Sequence, residues 1–270
     1  MEEVLKTRLK TAVVFGIVVI SLLLSGKWGI KILTSIILLG GMYEYLKMAQ
    51  QDGIKRNISL LLGLILSLFI LMEPTFNIAF SNPLILFGLA CYTVFIISLY
   101  SAAFLPHARL GWVLALIYPA LSMLLPVVSS TAEVWDMHYW AWALVLIWIS
   151  DSGAYLIGRK LGKTKLFERH SPKKTWEGFL GAGLFTMAGG LAIHAIEKDG
   201  NLVFWLLTAL IVWIIGTLGD LFESSIKRTF GVKDSGSFLP GHGGFLDRFD
   251  SLIMVIPYLC ALLLIKNMTL

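Results

Sequence analysis

Nine apolar stretches, at positions 11–24, 28–45, 58–72, 84–105, 110–128, 139–157, 179–196, 202–218 and 251–265, occupy most of this 270-residue chain. Runs of that length and polarity belong in a bilayer. Lipid offers nothing to a backbone N–H or C=O, so each spanning run must satisfy its own backbone as a helix. Several runs fall short of the ~20 apolar residues that a crossing helix needs, so ends shift by a few residues or one run is re-entrant. Composition agrees: 14% of residues are charged and the mean hydropathy is +0.80, whereas a soluble domain carries about a quarter charged residues. The expected fold class is all-α, a polytopic integral membrane protein with about nine transmembrane helices and a cytoplasmic N-terminus.

The positions of the charges set that orientation. With nine spans and the N-terminus inside, 18 of the 22 Lys and Arg residues fall on the inner side, all but Lys27, Lys31, Lys198 and Lys266. Cytoplasmic loops carry such an excess of basic residues. Both large polar loops, 158–178 and 219–250, then face the cytoplasm, where a nucleotide is available. The pI near 9.1 is explained by this bias, so no nucleic-acid partner is expected. Lys6, Arg8 and Lys10 before an apolar run resemble a signal peptide, but no small-residue cleavage site follows, and the run reads as a retained first span. Pro119 and Pro126 are expected to kink the fifth helix and Pro257 the last. Cys91 and Cys260 stand alone in apolar runs and read as small core residues.

The two halves differ in polarity. Residues 1–138 show no clustered intramembrane charge and read as a scaffold of membrane helices. Residues 139–270 hold nearly all the candidate chemistry, on cytoplasmic-side loops.

Asp151, in WISDSGAY, interrupts an apolar helix. A carboxylate there costs about 2.5–3.5 kcal/mol even on a lenient insertion scale, which makes it a functional candidate. The loop that follows contains GRKLGKT at 158–164, one residue short of a Walker-type phosphate loop and with no strand before it, so that reading is rejected. Ser171-Pro172 carries the pattern of a helix cap followed by a first-turn proline, which predicts a helix start there. Its free N–H groups would attract phosphate, assisted by Lys173 and Lys174.

The stretch 219–250 is denser. If a helix continues through 219–228, then Asp220, Glu223 or Ser224, and Lys227 share one face. Asp247 and Asp250, three apart, are expected to share a face of the helix entering the last span. Converging carboxylates suit a hard cation such as Mg²⁺, which takes one or two carboxylates and keeps its other positions for water and phosphate. Gly241, Gly243 and Gly244 let a backbone approach a ligand closely. His242 could donate to phosphate, and Lys227, Arg228, Lys233 and Arg248 could neutralise phosphoryl oxygens. Paired carboxylates in a membrane would also suit an ion path, but there is no inverted repeat of the kind transporters use.

The segment 224–250, S-S-I-K-R-T-F-G-V-K-D-S-G-S-F-L-P-G-H-G-G-F-L-D-R-F-D, resembles the signature of the CDP-diacylglycerol synthase (phosphatidate cytidylyltransferase) family. Its Ser224, Lys227-Arg228, Lys233-Asp234, Gly236, His242-Gly243-Gly244, Asp247-Arg248 and Asp250 stand in the family's order. Two shorter blocks, Asp151 to Tyr155 and Ser171 to Gly178, are also similar. The resemblance implies a Mg²⁺-dependent reaction of CTP with phosphatidic acid that yields CDP-diacylglycerol and pyrophosphate, carried out at the bilayer by a homodimer. On that reading Asp220 and Asp247 are Mg²⁺ ligands and catalytic, together with Lys227 and Arg248. Asp250 and Asp151 are further ligands or stand behind them, and the cluster could take a second cation. Lys173, Lys174, Ser224, Arg228, Lys233, His242, Gly243 and Gly244 bind substrate, while Trp176 either stacks or packs at the interface.

Overall fold

A computed structural model describes residues 2–50, 53–72, 78–100, 107–128, 137–197, 201–238 and 243–269. Among these residues the chain is almost wholly helical. Helices α1 (Glu2–Leu24), α2 (Gly26–Met48), α3 (Gly53–Met72) and α4 (Ile78–Ser98) come first. A fifth rod follows, in which α5 (His107–Ala115) and α6 (Ser122–Val128) flank a π-helical stretch, Leu116–Leu121. Then come α7 (Met137–Leu161), α8 (Trp176–Glu197), α9 (Leu202–Ile211), a π-helical turn at Val212–Gly216, α10 (Thr217–Thr229) and α11 (Asp250–Thr269). The apolar stretches seen in the sequence lie in these rods; positions 101–105 of the fourth lie outside the described residues. Among the described residues five segments are long and apolar enough to cross a membrane: Gly26–Met48, Gly53–Met72, Tyr139–Leu161, Trp176–Glu197 and Leu202–Thr229.

Pro119 sits inside the first π-helical stretch, as expected of a residue with no N–H to donate. The Tyr92 hydroxyl donates to the carbonyls of Ile117 and Tyr118 there. Tyr118 in turn anchors an aromatic cluster in the core. Its ring lies 5.1 Å from Phe222 and 6.5 Å from Tyr45, and Phe95 stacks on Phe222 at 4.7 Å. Phe222 belongs to α10. The apolar face of that helix, Leu221, Phe222 and Ile226, is buried, with Phe222 packed on Phe95 of α4 and Tyr118 of the π-helical stretch. Its other face carries Asp220, Ser224 and Lys227.

The described residues depart from an all-α fold at one place. Strands β1 (Lys165–Phe167) and β2 (Ser171–Thr175) form an antiparallel hairpin between α7 and α8. The expected helix start at Ser171-Pro172 is therefore wrong by four residues: α8 begins at Trp176 rather than Pro172. Thr175 is its cap, with Oγ1 accepting from Gly178 N at 3.1 Å. A residue before proline is driven to extended backbone, and proline's missing donor is tolerated on a ribbon edge, so Ser171-Pro172 serves a strand equally well. Glu177, in the first turn of α8, accepts from Lys163 N at 3.0 Å and from Thr164 N at 3.1 Å, which ties the hairpin back onto the helix. Helices α7 and α8 pack closely through glycine; a Cβ on Gly181 would stand 2.5 Å from Ile157.

Candidate active site

Asp151 projects from α7 and Asp220 from the first turn of α10, and both line one cavity of about 360 Å³. The hairpin closes it with Lys173 and Lys174. Lys174 Nζ lies 2.8 Å from Asp220 Oδ2 and 3.4 Å from the Thr217 carbonyl. That carbonyl sits just past the π-helical turn Val212–Gly216, whose wide bonding pattern loosens the ladder near a functional residue. Ser224, one turn along α10, donates to Asp220 Oδ1 at 3.3 Å. The expected shared face of Asp220 and Ser224 is therefore present.

Asp151 also lines a second cavity, of about 380 Å³, together with Asp247, Arg248, Asp250, Thr11 and Phe15. The two polar cavities thus meet at one carboxylate. Asp250 is within Coulombic range of both Asp220 and Asp151. Thr11 and Phe15 are shared in turn with a third cavity, about 480 Å³, which lies between α1, α2 and the loop. Its wall includes Val18, Leu33, Phe238, Phe245 and Phe249, with Lys10 at its edge.

Asp247 and Asp250 do not share a helical face, contrary to the expectation from their spacing. Asp247 belongs to a 3₁₀ turn, Leu246–Arg248, and Asp250 opens α11. Phe249 between them has φ −126°, which breaks the helix. Asp247 is turned toward the loop instead. Its Oδ2 accepts from Ser235 N at 3.1 Å and Gly244 N at 2.7 Å, and its Oδ1 lies 2.6 Å from Lys227 Nζ. Burial raises the Asp247 pKa, but the hydrogen bonds from Lys227 and Gly244 N oppose it, and the group is held at about 2. Gly243 has φ +86°, a conformation that glycine adopts without strain, and a Cβ there would stand 2.7 Å from Asp247 Oδ2.

Lys227 faces inward between Glu223, at 2.5 Å, and Asp247. Glu223 is fully buried. Arg228 and Lys233 are exposed, apart from the residues lining the three cavities. Arg228 donates to the Val232 carbonyl at 3.3 Å. His242 lies outside the described residues.

One carboxylate at this site escaped the sequence reading. Glu44 of α2, buried, accepts from Ser235 Oγ at 2.7 Å and from Phe245 N and Leu246 N at 2.8 Å each. The insertion cost that singled out Asp151 applies equally to a Glu inside the apolar run GGMYEYL.

Among the described residues no group of three or more His, Cys, Asp or Glu side chains stands ready to hold a metal ion. Asp151, Asp220, Asp247 and Asp250 therefore form no closed cage. Oxygen donors offered singly or in pairs beside open space still fit Mg²⁺, which keeps several waters and fills its shell from substrate phosphates.

The fold and these cavities define a class: a polytopic membrane protein with a carboxylate-and-cation site at helix ends, next to an apolar cleft. Comparison with known proteins narrows it. A profile of the cytidylyltransferase family matches residues 6–266, and the chain belongs to that family. A protein of Bacillus subtilis named phosphatidate cytidylyltransferase is 33% identical over 96% of this chain and 97% of its own length. Proteins of the same name from Staphylococcus saprophyticus and Staphylococcus haemolyticus are 48% and 50% identical over 47% of this chain. Those two matches span half the length of each staphylococcal protein.

Proposed function

We propose that this protein is a phosphatidate cytidylyltransferase, which makes CDP-diacylglycerol and pyrophosphate from CTP and phosphatidic acid for phospholipid synthesis. The observation that carries the reading is the run of three cavities. A cavity with two lysines meets one with Arg248 and three aspartates at Asp151, and that second cavity adjoins an apolar one at Thr11 and Phe15. One substrate is a water-soluble polyphosphate; the other joins a phosphate to acyl chains. The arrangement offers each a chemically suitable place. Membership of the family and the names of the relatives support the same reaction.

In that reaction an oxygen of the lipid phosphate attacks the α-phosphorus of CTP. The bond from that phosphorus to the bridging oxygen breaks, and pyrophosphate leaves. A phosphate monoester is already a nucleophile, so the protein's task is to align two anions and offset their repulsion. Lys173 and Lys174 hold phosphates in the first cavity and Arg248 in the second. Phe15, Val18, Leu33 and Phe245 receive acyl chain. Asp151, Asp220 and Asp250 would hold Mg²⁺, and a second cation is compatible with the same carboxylates. When bound, Mg²⁺ supplies positive charge to the phosphoryl oxygens. Asp247 and Lys227 face each other and orient the loop. Nine spans, a cytoplasmic N-terminus and site, and a homodimer complete the reading; light scattering in detergent tests the dimer.

The experiment is product formation by purified protein from labelled CTP and phosphatidic acid, with and without Mg²⁺. CDP-diacylglycerol and pyrophosphate should appear together and only with Mg²⁺, and Asp220→Asn should abolish both. Conversion of CTP to CDP on an alcohol lipid would replace the reading with a lipid kinase. CTP left intact with every lipid phosphate would remove it.

A further inference from the structure

Two carboxylates hold the 230–250 loop, and only one of them belongs to it. Asp247 Oδ2 takes the N–H groups of Ser235 and Gly244. Glu44 arrives from α2, near the other end of the chain, and takes the Ser235 hydroxyl on Oε2, Phe245 N on Oε1 and Leu246 N on Oε2. Both acids therefore clamp the same two loop segments, around Ser235 and around residues 244–246. The described part of this loop has bends and a three-residue 3₁₀ turn but no long ladder of its own. Its geometry has to come from such side chains.

The fit around Glu44 is close on every side. A Cβ on Gly236 would overlap Oε1, and one on Gly244 would come within 2.5 Å of Oε2 and overlap Ser235 Oγ. Glu44 itself is 4% exposed and stands apart from the residues lining the three cavities. The N–H of Leu246 that it holds is one residue from Asp247 and two from Arg248, and both of these line the second cavity.

We infer that Glu44 is a positioning residue for the transfer reaction. It fixes the 244–246 backbone, and through it the directions of Asp247 and Arg248. This rests on the proposed cytidylyltransferase reading. The inference differs from a plain stability role. A carboxylate that only stabilised the fold would change the amount of folded protein and leave turnover per folded molecule intact. A positioning carboxylate lowers kcat while CTP, held mainly at Lys173 and Lys174, keeps its KM.

The test uses the full chain in detergent with Glu44→Gln, Ser235→Ala and the double variant. Glutamine keeps the size but sets an NH₂ against an N–H donor, because one oxygen cannot replace two. For Glu44→Gln, kcat should fall about 100-fold, the usual cost of a misplacement near 1 Å. The KM for CTP should stay within about threefold, since ground-state binding is untouched. Ser235→Ala removes one of three donors and should cost about tenfold. The double variant should be no worse than Glu44→Gln, because both changes act through one contact. Trypsin cleavage at Lys233 and Arg248 should accelerate in Glu44→Gln.

Folded Glu44→Gln protein with turnover near wild type overturns the inference, and so does a double variant whose losses multiply. If Glu44→Gln fails to fold, Ser235→Ala decides, and unchanged kcat there overturns it. The proteolysis arm needs no activity. Wild-type protein inactive on CTP and phosphatidic acid sinks the functional reading, whereas unchanged loop protection in Glu44→Gln sinks the clamp.

Discussion

Lys227→Met should destabilise the protein strongly, and Glu223→Gln in the same chain should restore much of the loss. Lys227 Nζ stands 2.5 Å from Glu223 and 2.6 Å from Asp247. Its side chain is 11% exposed, and those of its partners 0% and 9%. Truncating it leaves two neighbouring carboxylates with no cation and little water. Breaking a buried pair in this way costs about 3–5 kcal/mol. At about 2–4 °C per kcal/mol for a chain of this size, the melting midpoint in detergent should drop by roughly 6–20 °C. Lys173→Met, at an exposed site, should shift it by about 1 °C or less. Intrinsic-fluorescence melts at pH 7.5 read these values directly. A Lys227→Met protein that melts with wild type would refute the enclosed-cation reading, as would a double variant no more stable than the single. Activity then decides Lys227's second role. If the double variant regains stability but not turnover, Lys227 also meets phosphate; if turnover returns, its work is confined to the loop.

Three further predictions follow from single contacts. Val18→Trp, in the wall of the apolar cavity, should raise the KM for long-chain phosphatidic acid about tenfold, the weight of one or two lost methylene contacts; KM for CTP and for a short-chain lipid should not move. His170, buried and stacked on Phe167 at 5.1 Å, has its pKa pushed by burial below the ordinary 6.5. Its contribution to stability is complete above pH 6.5 and is lost as pH falls below that value, so melts at pH 7.5 and 5.5 should differ more in wild type than in His170→Phe. Gly244→Ala would drive a methyl into Ser235 Oγ and Glu44; it should cost at least tenfold in kcat, and activity equal to wild type would show the loop to be slack.

What could be read from the sequence divides by kind of signal. Apolar runs set the helical rods, because lipid leaves the backbone no alternative. Asp151 was legible as a carboxylate inside an apolar helix, and Lys174 and Asp220 as a base and an acid in the polar segments, and the three line one cavity. Local signals with two outcomes failed. Ser171-Pro172 fits a helix start and a ribbon edge alike, and only Thr175's bond to Gly178 N settles which is used. Spacing of three implies a shared face only if the helix is continuous, and Phe249 interrupts it between Asp247 and Asp250. Glu44 was illegible for another reason. Its partners are two backbone N–H groups and a serine about 200 positions away, and no periodicity within α2 announces a contact of that kind.

The cost of these buried charges bears on why they are there. An ion pair taken out of water adds little net stability, and apolar side chains of similar volume often do as well or better. Stability therefore does not explain Glu223, Lys227 and Asp247, in which each carboxylate lies within 2.6 Å of a single ammonium. Direction does. Helix α10 buries Phe222 on one face in an aromatic cluster, which sets its rotation. That rotation points Asp220 at the hairpin lysine and Lys227 at the loop. One helix thereby fixes the relative places of Lys174 and Arg248, which line different cavities. An in-line displacement needs its two phosphates held at a set separation. A rod with an apolar anchor on one side and charged contacts on the other provides that, and an apolar α10 would not.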